Sequence, residues 1–195
     1  MDGRVILGID PGTNFMGYGV ISIAGGEPHL VVHGVIHLNK FKDPYQKLGH
    51  IFERVSGIIS AYSPDEVALE APFYGTNVQS MLKLGRAQGV AMAAALARGI
   101  DVFEYAPTKV KQAISGAGRA SKEQVAGVVC RLLGVELSTE KLDATDALAV
   151  AVCHYFAQCS PVSLSSGGGS WDQFVASHPS RVADLTDARR THSVF

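Results

Sequence analysis

Four acidic residues at the ends of apolar segments constrain the fold of this chain more than any other feature. Asp10 and Glu70 each follow a short, continuously apolar segment, which is the pattern of a buried strand. Asp143 and Asp146 lie three residues apart at the start of another apolar run. A buried carboxylate is costly unless something pairs with it. A single explanation covers all four positions, namely that the carboxylates converge on divalent metal ions.

Each of these residues also has a structural alternative. Asp10 begins an Asp-Pro-Gly sequence, which is common turn chemistry. Glu70 leaves a strand just before Ala71 and Pro72, where a salt bridge is the competing interpretation. Asp143 and Asp146 lie on one face of a first helical turn, where negative charge compensates the helix dipole.

The order of the patterns predicts an α/β protein with a mixed sheet and helices on both faces. Three strands come first, as an antiparallel meander, at residues 4–9, 17–23 and 29–38. Helical and extended patterns then alternate: helix 46–62, a strand ending at Glu70, helix 77–98, strand 101–105, and helices 108–114, 121–133 and 142–158. Ser121 is the expected N-cap of its helix.

Gly85 and Gly89 lie four residues apart inside the predicted helix 77–98. Glycine in a helix interior costs about 1 kcal/mol relative to alanine, and close backbone packing is the usual compensation. The partner could be another helix of this chain or a helix of a second subunit.

Length and composition indicate one globular domain. The chain has 195 residues, 47% of them hydrophobic, and we predict a domain at 1–159. Residues 160–195 begin with a serine- and glycine-rich stretch, and we expect a flexible, largely disordered tail. No apolar run reaches the roughly 18 residues that span a bilayer, and no signal peptide is visible, so we expect a cytoplasmic protein without membrane contact. The three cysteines are expected to be free thiols.

The charge distribution is uneven although the net charge is only −1. Residues 81–131 contain eight lysines and arginines but only three acidic residues. A solvated basic face is one interpretation. The other follows from the carboxylates, since two Mg²⁺ ions held by carboxylates support phosphodiester hydrolysis and a basic segment binds phosphates.

The ordered set of motifs resembles the RuvC family of bacterial Holliday-junction resolvases, from about Val5 to His154. The motifs that carry the resemblance are Gly8–Thr13 with Gly17–Val20, Glu70–Phe73, Leu82–Val90, Phe103–Pro107 with Val110–Gln112, and Asp143–Ala149. The resemblance implies an RNase H-like fold with a five-stranded mixed sheet. It also implies a homodimer that makes paired nicks in four-way DNA junctions during recombination and repair, and the RuvAB branch-migration complex as a partner.

The resemblance further assigns residue roles. It implies that Asp10, Glu70, Asp143 and Asp146 bind two Mg²⁺ ions per subunit, for which Mn²⁺ could substitute, and that the products carry a 5′-phosphate and a 3′-hydroxyl. Lys122 would assist catalysis beside the scissile phosphate. DNA contacts are implied for five residues: Phe73, Lys83, Arg86, Lys111 and Lys122. Phe73 would stack on an unpaired base, although a core phenylalanine is the alternative.

Two other functions fit parts of the sequence. An actin-like ATPase or sugar kinase also has an early Asp-x-Gly-Thr loop, like Asp10–Thr13, but needs a second lobe that a chain of 195 residues is too short to supply. An RNase H-like nuclease acting on RNA would have the same carboxylates. A junction-binding module without catalysis is disfavoured by the complete acidic set.

Overall fold

The computed structural model describes residues 3–72, 77–135 and 142–159. Within these ranges the strands are β1 (Arg4–Asp10), β2 (Phe15–Ala24), β3 (Glu27–His37), β4 (Glu66–Glu70) and β5 (Asp101–Tyr105). The helices are α1 (Pro44–Tyr62), α2 (Val78–Leu96), α3 (Pro107–Ser115), α4 (Lys122–Leu133) and α5 (Leu142–Cys159). The contacts divide the chain after Ser160, and the predicted tail 160–195 lies outside the described residues.

The five strands form one mixed sheet in the order β3-β2-β1-β4-β5. Strands β1, β2 and β3 are the predicted antiparallel meander, whereas β4 and β5 run parallel to β1. Because β1 and β4 are parallel neighbours, their last residues, Asp10 and Glu70, lie at the same edge of the sheet. The predicted fold class is confirmed.

Helices cover both faces of the sheet because the side chains of a strand alternate between its two faces. Val5, Leu7 and Ile9 of β1 belong to one hydrophobic cluster, which includes buried residues of α1 and α2. Ile6 belongs to the other cluster, which includes buried residues of α3, α4 and α5. Helix α5 is buried on nearly all sides from Ala144 onwards, as expected of a helix that is apolar all round.

Helix boundaries follow the capping residues. Asp43 caps α1, its side chain accepting the backbone N–H of Tyr45, and Pro44 occupies the first helical position, so α1 begins two residues before the predicted Gln46. Ser121 is the N-cap of α4, as predicted, and forms a reciprocal capping box with Gln124.

Gly85 and Gly89 lie on an exposed face of α2, so the expected close packing against another helix of this chain is not observed among the described residues. A Cβ atom added at Gly85 or Gly89 would meet no atom within 4 Å in the described part of the chain. The described residues therefore supply no close-packed partner for these glycines, and a second subunit is the expectation that stays open.

No helix among the described residues is long and apolar enough to cross a bilayer. Cys130, Cys153 and Cys159 are free thiols, as predicted.

Candidate functional site

Three of the four predicted carboxylates form a compact cluster at the end of the sheet where strands β1 and β4 terminate. Asp10 ends β1, while Asp143 and Asp146 lie at the start of α5. One carboxylate oxygen from each of the three lies within 4.8 Å of the others. Glu70, at the end of the neighbouring β4, lies outside this three-residue group but interacts electrostatically with Asp10 and Asp146.

Small residues on the sheet let α5 come close enough to deliver its carboxylates. A Cβ atom at Gly17 would clash with the backbone carbonyl of Asp143, and one at Gly8 would clash with the carbonyl of Ala147. Gly17 stands directly opposite Asp10 in the β1–β2 ladder. The glycines therefore set the distance between Asp10 and the first turn of α5.

Burial and mutual repulsion raise the pKa values of the carboxylates. Burial is the largest cause of the rise in the pKa of Asp10 to about 8, followed by the charges of Glu70 and Asp146. Burial also raises the pKa of Glu70, and the charge of Asp146 adds to this effect. The pKa of Asp146 is raised by burial even though Lys122 opposes the change. The site therefore disfavours the ionised forms of these carboxyl groups.

Two predicted lysines lie beside the carboxylates. Lys122, the first residue of α4, forms an ion pair with Asp146. Burial is the largest single influence and disfavours the charged form of Lys122. The bond to Asp146 and the charges of Asp146, Asp10 and Asp143 together outweigh burial and raise the pKa of the ammonium group. Lys111 of α3 lies close enough to lower the pKa values of Glu70 and Asp146 by its charge. Both lysines line a cavity of about 50 Å³ together with Glu70 and Asp146.

The chemistry of the donors fits a divalent metal ion. Mg²⁺ prefers carboxylate oxygens together with water, and the oxygens of Asp10, Asp143 and Asp146 are near one another. A bound cation would also relieve the repulsion that raises the pKa of Asp10. The cluster is therefore compatible with divalent metal binding.

The remaining predicted DNA contacts have different positions. Lys83 and Arg86 of α2 line a cleft separate from the cavity of Lys111 and Lys122. Phe73 lies outside the described residues. Asn77 caps α2 by accepting the backbone N–H of Ser80.

Gln88 is a site residue that sequence reasoning did not identify. It is buried on α2 and donates to the Glu104 carboxylate at 2.6 Å and, more weakly, to the backbone carbonyl of Glu70 at 3.4 Å. Gln88 also lines a cavity of about 140 Å³ together with Asp10 and Glu70. The sequence signal that could have identified Gln88 is a polar residue within the alanine-rich face of a predicted helix.

The comparison with known families agrees with this geometry. Residues 6–154 match the family described as crossover junction endodeoxyribonuclease RuvC. The chain belongs to the RuvC family. The matched segment contains all four acidic residues and both lysines of the site.

Individual RuvC proteins support the assignment. The chain is 56% identical to the crossover junction endodeoxyribonuclease RuvC of Cytophaga hutchinsonii over 92% of this chain and 88% of the relative. It is 54% identical to the corresponding protein of Porphyromonas gingivalis over 92% and 97%. The structure of Thermus thermophilus RuvC in complex with a Holliday junction substrate is similar, with a TM-score of 0.71, 31% identity and coverage of 80% and 96%.

Proposed function

We propose that this chain cuts two opposed strands of a four-way DNA junction by Mg²⁺-dependent hydrolysis, leaving 5′-phosphate and 3′-hydroxyl ends. As a member of the RuvC family it is a crossover junction endodeoxyribonuclease, an enzyme that resolves Holliday junctions. The observation that carries the finer proposal is the convergence of Asp10, Asp143 and Asp146, with Glu70 beside them, at one edge of the sheet.

In this proposal Asp10, Glu70, Asp143 and Asp146 hold two Mg²⁺ ions, or Mn²⁺ in their place. Held by these residues, the ions would supply a water molecule of lowered pKa and stabilisation of the departing oxygen of the phosphodiester. Asp10 and Glu70 are largely buried, and charge interactions are stronger in such surroundings of low polarity than in water. Gln88 fixes α2 against the end of β4 through its bonds to Glu104 and Glu70.

Positive side chains complete the proposed catalytic site. Lys122 is held beside the carboxylates by Asp146, and its Nζ is a donor for a phosphate oxygen. Lys111 adds a second positive charge on the same side. Because phosphate binding depends on such charges, both lysines are proposed to hold the strand that is cut. Phe73 is proposed to stack on an unpaired base of the junction.

A homodimer is part of the proposal because paired nicks need two active sites related by two-fold symmetry. One face of α2 supports it. At 100° per residue, two glycines and three exposed apolar residues fall on a single stripe. The members of this stripe are Val78, Leu82, Gly85, Gly89 and Leu96. An exposed apolar stripe is typical of a protein interface, and glycines allow another helix to approach closely.

The remaining parts of the proposal concern context. We propose that the nuclease domain is residues 1–159, that the enzyme acts in the cytoplasm, and that the RuvAB branch-migration complex is its partner. These statements rest on the sequence pattern and on the family.

The deciding experiment compares a synthetic four-way junction, a linear duplex and a DNA/RNA hybrid, each with Mg²⁺ and with EDTA. We expect paired nicks in the junction alone, and only with Mg²⁺. Mn²⁺ in place of Mg²⁺ tests the metal preference, and religation of the nicks by a DNA ligase tests for 5′-phosphate and 3′-hydroxyl ends. Cutting of the hybrid but not of the junction would overturn the substrate assignment and favour an enzyme acting on RNA.

A further inference from the structure

A cleft with a cationic rim borders α2 and is separate from the cavity of Lys111 and Lys122. Its volume is about 180 Å³, and four basic side chains line it. We call it the cationic cleft, and its basic residues are Lys42, Lys47, Lys83 and Arg86. None of the four forms an ion pair within residues 3–72, 77–135 and 142–159. Unneutralised charge of this kind indicates an anionic ligand.

The cleft adjoins the carboxylate cluster through the loop that follows Asp10. Lys47 donates to the backbone carbonyl of Thr13 at 2.9 Å and to the Asn14 side chain at 3.1 Å, so α1 holds this loop. Thr13 itself lines the cleft. Since each residue spans at most about 3.6 Å, the Cα atom of Thr13 lies within about 11 Å of that of Asp10.

Helix α2 forms a wall of both sites. Leu84 and Gln88 line the cavity of Asp10 and Glu70, while Lys83, Arg86 and Ala87 line the cationic cleft. The cleft and the cavity therefore lie on neighbouring faces of one helix.

The rise of a DNA strand converts this limit into a number of nucleotides. Successive nucleotides of one strand advance about 3.4 Å along the duplex axis, so a distance of up to about 11 Å corresponds to at most about three nucleotides. Apolar side chains of the cleft, including Leu48 and Ile51, exclude water from its inner part and strengthen the attraction between the basic side chains and phosphates.

We propose that the cationic cleft binds the phosphate backbone of one junction arm within a few nucleotides of the cut. The inference rests on the proposed function and adds Lys42 and Lys47 to the DNA-binding surface. Lys42 is exposed and takes no part in the carboxylate site, so it is the more informative of the two. Lys47 also holds the loop after Asp10 and is not mutated in the test.

The test measures junction affinity against salt concentration in EDTA, where no strand is cut. Replacing one lysine that contacts a phosphate lowers the salt dependence of log K by about 0.9, and two replacements lower it by about 1.8. We expect Lys42→Gln to weaken binding about 5- to 10-fold at low salt, and Lys42→Gln with Lys83→Gln to weaken it further. Arg131→Gln, an exposed cation at the far end of α4, is the charge-matched control and should change the affinity much less.

Neutral methylphosphonate linkages locate the contact. We place one linkage at a time along an arm and measure its coupling with Lys42→Gln in a double-mutant cycle. Coupling at a linkage within a few nucleotides of the cut is the expected result, and it should disappear in a junction whose arms end before that point. Equal losses for Lys42→Gln and Arg131→Gln, or no coupling at any arm position, would overturn the cleft assignment.

Two further results distinguish DNA binding in the cleft from small-anion binding and from a failure of the proposed function. If millimolar inorganic phosphate at constant ionic strength abolished the difference between wild type and Lys42→Gln, the cleft would be a small-anion site and the inference would be wrong. Failure of the wild-type protein to bind or cut the junction would instead remove the proposed function on which the inference rests.

Discussion

The two ends of strand β4 each carry a glutamate, and their surroundings differ in kind. Glu66, at the beginning of the strand, accepts a hydrogen bond from Arg4 Nε at 2.7 Å and contacts His154 Nε2 at 2.9 Å. His154 is fully buried, and its Nδ1 lies 2.7 Å from the hydroxyl of Tyr105. Every member of this network has a partner within the chain.

Glu70, at the other end of the strand, faces like charges instead. Burial has the largest effect on its pKa and raises it, the charge of Asp146 raises it further, and Lys122 and Lys111 lower it. The comparison teaches that a buried carboxylate by itself does not identify a functional site. The distinguishing feature is a set of carboxylates whose ionised forms are disfavoured by burial and by like charges, because a cationic ligand would favour those forms.

The largest effect is expected from a substitution that removes one carboxylate of the cluster. Asp10→Asn removes one proposed metal ligand, and we expect cutting of the junction to fall by about 10³-fold or more, since a metal ion supplies several kcal/mol of stabilisation to the transition state. Junction binding in EDTA should stay the same or become tighter, because a negative charge near the phosphate is lost. Gel assays of cutting and binding measure both.

The exposed residue Glu53 provides the control for this variant, because its side chain is 80% accessible. Glu53→Gln should cut like the wild type. Asp10→Asn that still cut within about tenfold of wild type would show that Asp10 is a turn residue rather than a ligand.

The second prediction concerns the end of β4 where the glutamate charge is paired within the chain. Glu66→Gln leaves Arg4 and His154 without their anion, and we expect unfolding free energy to fall by about 1–3 kcal/mol because the pair is partly exposed. In a domain of this size each kcal/mol lowers Tm by about 2–4 °C. Thermal unfolding of Glu66→Gln beside Glu53→Gln checks the stability. Cutting per folded molecule should be unchanged, and an unchanged Tm would contradict the prediction.

The contrast also shows what the sequence made predictable. The strand ends at Asp10 and Glu70 and the helix start at Asp143 were visible, because local apolar patterns end there. The cap at Ser121 was visible for the same local reason. The beginning of α1 was placed two residues late, although Asp43-Pro44 is an N-cap followed by proline at the first helical position.

Long-range partners could not be predicted from local patterns. Arg4 and His154 are 150 residues apart and meet only because α5 packs across β1. Gly17 looked like a strand glycine, and its role in seating the carbonyl of Asp143 depends on that same packing. Lys42 and Lys83 form one cleft through the packing of α1 against α2.

A smaller effect is expected from the cation that partly compensates the cluster. Lys122→Ala removes the partner of Asp146 and a proposed phosphate donor, and we expect cutting to fall about 10- to 100-fold. Far-UV circular dichroism should show an intact fold, because the side chain of Lys122 is 55% exposed. Arg131→Ala on the same helix is the control and should retain full activity. A Lys122→Ala protein that failed to fold would show that this lysine has a structural role.

The last prediction concerns pH and compares the two ends of β4. The pKa of Asp10 is about 8 in the folded protein and 3.8 in its ordinary state, so between these values the folded state binds more protons than the unfolded state. Stability from this group is therefore fully present below about pH 4 and is lost as the pH rises through about 8. In EDTA we expect the unfolding free energy, and with it Tm, to decrease between about pH 4 and about pH 8. The decrease in unfolding free energy is up to about 1.4 kcal/mol per pH unit for one proton.

Saturating Mg²⁺ should remove most of this decrease, because a ligand that binds only the folded state stabilises it. Asp10→Asn should reduce the slope in EDTA but not abolish it, since the pKa values of Glu70 and Asp146 are also raised. Glu66→Gln should lower Tm without reducing the slope, because its change lies at the compensated end of β4. Equal slopes in Asp10→Asn and wild type would show that the cluster is not the source of the pH dependence, and the contrast between the two ends would fail.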